Sequence, residues 1–209
     1  MNRTVERRDF LKYAAVAAGT AVLGSSARGE EQAKGARLLK ALQSNMLPKD
    51  LLDAQKLALA RKCGFEGIEL NRPLEDLTAA KELGAQARQA GVPIHSVVNG
   101  WGGPLSDPKP ENVAKGLADM ELSLRCAKAA GADAVLLVPA VVNDEVGYAE
   151  AWERSQKNIR KLLPLAKELQ VTIAVENVWN KFLLSPLEFA RYVDAVSYTH
   201  LTLPTIYSV

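Results

Sequence analysis

Residues 171–180 read Val171-Thr172-Ile173-Ala174-Val175-Glu176-Asn177-Val178-Trp179-Asn180. An uncharged run rich in β-branched residues ends abruptly in an acid and an amide. A run with no alternating polar face is the pattern of a parallel strand covered on both sides. Outward from it the same unit recurs. Tyr148 to Leu169 carries helical apolar spacing, and before it Ala134-Val135-Leu136-Leu137-Val138 is another such run, closed by Pro139. Upstream again, Val92 to Val98 leads through a loop containing Gly100, Gly102, Gly103 and Pro104 to a helix between Glu111 and Ala130. Phe65 to Leu70 precedes a helix from about Leu74 to Ala90, and Leu38 to Met46 precedes one over Lys49 to Cys63. Gly64, Gly91 and Gly131 stand where three of these helices end, a place that favours left-handed backbone.

Strands alternating with helices predict an α/β fold with a parallel sheet, either doubly wound or a (β/α) barrel. A doubly wound nucleotide-binding sheet carries a glycine fingerprint after its first strand, whereas that loop is here Asn45-Met46-Leu47-Pro48-Lys49. The strand ends instead carry Asn45, Glu69, Asn71, His95, Asn99, Glu176 and Asn177. Polar residues at the C-terminal ends of several strands are how barrels build their sites, so a (β/α)8 TIM barrel is expected. Such a barrel takes about 250 residues. The 209 residues here show about five of the eight units, which predicts an incomplete barrel over residues 37–195.

With 48% hydrophobic and 24% charged residues the composition is that of an ordinary globular chain, and 26 Lys and Arg against 24 Asp and Glu leave no broad basic face for nucleic acid. Cys63 and Cys126 have no neighbouring Cys or His at zinc spacing and are read as small buried hydrophobes. Arg3, Arg7 and Arg8 precede an Ala-, Val- and Gly-rich run to Gly24, too short and interrupted to span a bilayer. The string Arg7-Arg8-Asp9-Phe10-Leu11-Lys12 resembles the twin-arginine signal. That resemblance implies an address over residues 1–27, cleavage after Ala27, a linker over 28–36 and export to the periplasm or another extracytoplasmic space. Its alternative is an uncleaved anchor or an amphipathic helix. The expected partners are the twin-arginine export machinery and a small carbohydrate, with no nucleic acid and no stable membrane span after cleavage.

From Met46-Leu47-Pro48 through Gly64-Phe65-Glu66-Gly67-Ile68-Glu69 and Ala129-Ala130-Gly131-Ala132-Asp133 to the strand end at Glu176, the chain resembles the sugar phosphate isomerase/epimerase family of xylose isomerase-like barrels. The resemblance implies a metal-dependent isomerase or epimerase working through an enediolate on a small sugar or hydroxy-keto compound. It makes Glu176 both a ligand of a divalent ion (Mn, Mg, Co or Zn) and an acid or base. The family's other ligands come from later strands, so residues 28–195 alone are expected to be inactive and prone to aggregate. A paired, buried carboxylate is the other reading of Glu176. Asn177, Trp179 and Asn180 shape a substrate pocket, or Trp179 anchors packing. Glu69 faces the barrel mouth or forms a salt bridge. His95 contacts substrate or is a hydrogen-bonded core histidine. Trp101 walls a sugar pocket or caps the barrel.

The last stretch, Val196 to Val209, replaces helix formers with β-branched residues and Pro204, and it resembles translated sequencing-adapter read-through. Native sequence is therefore expected to end near Ala195, the alternative being a short genuine strand. Two further functions remain in view: a non-catalytic carbohydrate- or partner-binding barrel, and an endonuclease IV-like phosphodiesterase, which two histidines support poorly.

Overall fold

A computed structural model describes residues 38–101 and 104–196, together with the backbone of 201–202. The expected signal and linker, and most of the expected non-native tail, lie outside these residues. Every element below lies within the compact unit Leu39–Val209. The strands are β1 (Ala41–Gln43), β2 (Gly67–Leu70), β3 (Ile94–Val98), β4 (Ala134–Leu137), β5 (Thr172–Val175) and β6 (Leu201–Thr202). The helices between and after them are α1 (Asp53–Lys62), α2 (Leu77–Gln89), α3 (Pro110–Ala130), α4 (Tyr148–Leu169) and α5 (Pro186–Val196).

The strands pair in the order of the sequence, β1 to β6, and every neighbouring pair is parallel. A doubly wound sheet reverses its strand order at a switch point. No reversal occurs among the described strands, so the architecture is a partial (β/α) barrel. β1 is shorter than the expected run from Leu38 to Met46 because Ser44–Met46 turn into a single 3-10 helix. Ser44 leaves the strand to donate its hydroxyl to Asn71 Oδ1 at 3.0 Å and to accept from Asn71 N–H at 3.2 Å.

Register sorts the side chains into two faces. Gln43, Glu69, Ser96, Ala134 and Thr172 are successive partners across the sheet and therefore share one face. Their strand neighbours Leu42, Ile68, Leu70, Val97, Val135, Leu137, Ile173 and Val175 point the other way and are buried in the core beneath the helices. The barrel lining is thus small or polar where the outer layer is aliphatic. A bulge between Ile68 and Glu69 in the β2–β3 ladder resets the pairing, so that Ser96 comes opposite Glu69.

Helix ends repeat one solution. Gly64, Gly91 and Gly131 take φ of 83°, 73° and 79°, and the residue after each donates its N–H back into the last turn, as Phe65 does to Ala60 O at 3.1 Å. α4 closes the same way on Gln170, at φ 56°. Gly84 is demanded by packing: a Cβ there would lie 2.1 Å from the Ala130 carbonyl oxygen, where α2 crosses α3. Of the two cysteines only Cys126 is buried, which corrects half of that expectation; Cys63 stands at the C-cap of α1 and is exposed. No helix among the described residues is long and apolar enough to cross a membrane.

Candidate active site

Glu69 belongs to the lining face, near the C-terminal end of β2. Its carboxylate accepts from Gln43 Nε2 at 2.9 Å and from Ser96 Oγ at 2.8 Å, one donor from each neighbouring strand. No basic side chain pairs with it among the described residues, so two neutral hydrogen bonds, rather than a salt bridge, fix its direction. Gln43 and Ser96 were not anticipated as site residues. Neither type signals chemistry alone, and only the register makes them partners of Glu69.

Glu176 extends β5 by one ladder bond, its N–H donating to Leu137 O at 2.9 Å. Alternation through Thr172 and Ala174 puts it on the same sheet face as Glu69. Its carboxylate is half-buried and meets no hydrogen-bond donor or cation among the described residues. Burial pushes the Glu176 carboxyl above its ordinary value, and the negative charge of Glu69 pushes it the same way. The expected alternative, a carboxylate neutralised by a basic partner, is therefore not what the described residues form.

The loop after Glu176 is held from several sides. Asn180 is buried, donates through Nδ2 to Ala140 O at 2.8 Å, and accepts from Val178 N–H at 3.3 Å through Oδ1. Its backbone oxygen takes Val142 N–H at 3.0 Å. Its amide nitrogen and backbone oxygen thus join the loops that follow β4 and β5, while Oδ1 closes a turn within the second of them. Phe182 is fully buried among Tyr148, Trp152 and Tyr192, with ring centroids 5.0, 6.1 and 5.4 Å away. To seat it the chain turns left-handed on either side, at Lys181 (φ 55°) and Leu183 (φ 56°). Tyr148 donates to Glu188 and accepts from Leu183 N–H at 3.2 Å. Burial first, and Glu188 second, push the Tyr148 phenol up to about 12.

The remaining candidates scatter. Asn177 is exposed and reaches Leu183 O at 3.3 Å. Trp179 is 105% exposed, so it anchors no packing in the described structure; Trp101, after β3, is 59% exposed. His95 corrects the core-histidine reading: it sits exposed at the β3 bulge, and its Cδ2 would be 3.1 Å from a Cβ at Gly67. Gly67 opens β2, so the ring lies toward the N-terminal end of the lining, away from the end that carries Glu176.

A family model described as xylose isomerase-like TIM barrel matches residues 57–203 of the 209. The chain belongs to the xylose isomerase-like TIM barrel family. Residues 4–24 match a second model, the signal sequence of the twin-arginine translocation pathway. No curated protein matches the sequence. Among solved structures the barrel is similar to the 3-keto-D-glucoside 4-epimerase YcjR of E. coli, at 17% identity and a TM-score of 0.68 over 79% of this chain and 67% of that one. It is similar to the D-psicose 3-epimerase of Clostridium cellulolyticum H10, at 16% identity and a TM-score of 0.68 over 79% and 62%. It is also similar to a family 2 AP endonuclease of Brucella melitensis, at 14% identity and a TM-score of 0.63 over 79% and 67%. These likenesses establish the fold. The chain spans roughly two thirds or less of the length of several of its structural neighbours, 67% of the first and 62% of the second.

Within this family member, the unpartnered carboxylate of Glu176 beside Glu69 is a donor chemistry suited to a hard divalent cation. Among the described residues, however, no three His, Cys, Asp or Glu side chains converge. The described residues therefore hold no complete metal site.

Proposed function

We propose that the complete barrel is an isomerase or epimerase of a small sugar or hydroxy-keto compound, acting by proton transfer at the carbon beside a carbonyl in an extracytoplasmic space. The observation that carries this reading is the pair Glu69 and Glu176: two carboxylates on one lining face, one oriented by Gln43 and Ser96, the other half-buried and unpartnered. Proton transfer of this kind needs a carboxylate that is free to take a proton yet fixed in place. Burial and the charge of Glu69 make Glu176 a stronger base than an exposed glutamate, and the Asn180 and Phe182 anchors hold the strand end that carries it. Glu69 then serves as a second charged group facing the same volume. A divalent cation at Glu176, with ligands from strands beyond those described, would supply Lewis-acid stabilisation of the enediolate. The exposed rings of Trp179 and Trp101, in loops after β5 and β3, suit stacking on a sugar. The twin-arginine match supports export of the folded protein, and the periplasm is the proposed destination.

The test is to express the complete gene, supply Mn2+, and follow a panel of ketoses and aldoses by chromatography alongside the metal content of the protein. Interconversion of at least one pair, together with loss of bound metal in Glu176→Gln, is expected. Metal content unchanged by that substitution, or no interconversion by a metal-loaded protein, would favour a binding barrel instead.

A further inference from the structure

A cleft of about 660 Å³ opens where β1 and β2 end, between those strand ends and the starts of α1 and α2. Its volume falls within the usual range of small-molecule pockets, about 300–1,000 Å³. The floor is aliphatic, made by Leu47, Leu70, Leu74 and Leu83, while the rim carries Lys49, Lys56 and Arg72. The only acid in the lining is Asp53, which already faces Lys56 at 3.5 Å. Lys49 and Arg72 form no ion pair among the described residues. Asn71 adds directionality, because its Oδ1 is taken by Ser44 Oγ at 3.0 Å and its Nδ2 is left to donate. The uncommitted groups around this concavity are therefore chiefly cations and a donor, above an apolar floor that lowers the local dielectric and strengthens their pull on a negative charge.

We infer that this cleft is an anion subsite, receiving the carboxylate or phosphate group of a small ligand through Lys49, Lys56 and Arg72 with the Asn71 amide beside them. Ser44 follows directly on Gln43, and Asn71 lies two residues beyond Glu69, so the subsite opens at the same end of the sheet as the two glutamates. It stands whether or not Glu176 transfers protons. The phosphate fork falls to Arg72 and the point charges to the two lysines, which tolerate either anion geometry.

Calorimetric titration of the purified protein at low salt with inorganic phosphate, D-gluconate and neutral D-glucose tests this directly. Saturable binding of phosphate, gluconate or both is expected, with no response to glucose. The double variant Lys49→Ala, Arg72→Ala should weaken the bound anion by at least about tenfold while leaving the thermal melt unchanged, since both side chains are exposed and unpaired. The charge-keeping double variant Lys49→Arg, Arg72→Lys should retain binding. Gluconate alone would identify a carboxylate ligand and phosphate alone a phosphate ester. Failure of both anions to bind the unaltered protein, or equal binding by the alanine variant, would overturn the inference.

Discussion

At the scale of single residues, the site turns on one acid that carries a cost and on amides and hydroxyls that hold its surroundings. Because the folded Glu176 carboxyl is raised, the fold favours its protonated form, so its contribution to stability is present below the unfolded value of 4.5 and is lost as pH rises through the folded one. In the presence of a chelator, Glu176→Gln should therefore melt higher than the parent at pH 7, with the gap closing toward pH 4. A variant that melts lower at pH 7 would mean that the carboxylate has a stabilising partner. Asn180 is the opposite case, since both ends of its amide are bonded in a buried place. Asn180→Ala should cost about 1–3 kcal/mol by leaving Ala140 O and Val178 N–H without partners, read as a lower denaturation midpoint at unchanged slope.

At the scale of elements, most helix limits were legible because the chain punctuates them. α4 spans the residues its apolar spacing predicts, and α3 differs by one residue at its start. α1 and α2 begin later than expected, with Asp76 capping α2 through Thr78 N–H at 2.8 Å and Ala79 N–H at 3.2 Å. Apolar periodicity blurs such starts because loop residues can share the buried stripe. The end of α4 breaks the glycine rule, as Gln170 holds φ 56°. Gln170→Gly should relieve that left-handed backbone and stabilise the protein by roughly 1 kcal/mol. That is a rise of about 2–4 °C in melting temperature for a domain of this size, and a fall would show that the glutamine side chain matters more than its backbone.

At the scale of the whole molecule, sequential parallel order distinguishes the barrel from a doubly wound sheet, and the absent glycine fingerprint together with the polar strand ends pointed to it. What could not be read was the shape of the site. Glu176 stood out because an acid ends an apolar strand, but Gln43 and Ser96 emerge only from cross-strand register. His95 misled because a histidine inside an apolar run looks buried, whereas here it sits exposed at the bulge, on the lining beside Gly67. Unequal pairing also predicts unequal stability: β3 and β4 have partners on both sides and lie under α3, whereas β1 pairs only with β2 among the described strands. Hydrogen exchange should accordingly be slowest at amides such as Val97 and Leu136 and faster in β1; uniform protection would contradict this. The central claim is that Glu176 moves a proton at carbon. It is tested most directly by incubating the complete protein in D2O with the sugar or hydroxy-keto compound it is proposed to convert and watching the hydrogen beside the carbonyl by NMR. Deuterium should enter at that carbon with the parent protein and not with Glu176→Gln, while incorporation at equal rates by both would contradict the account.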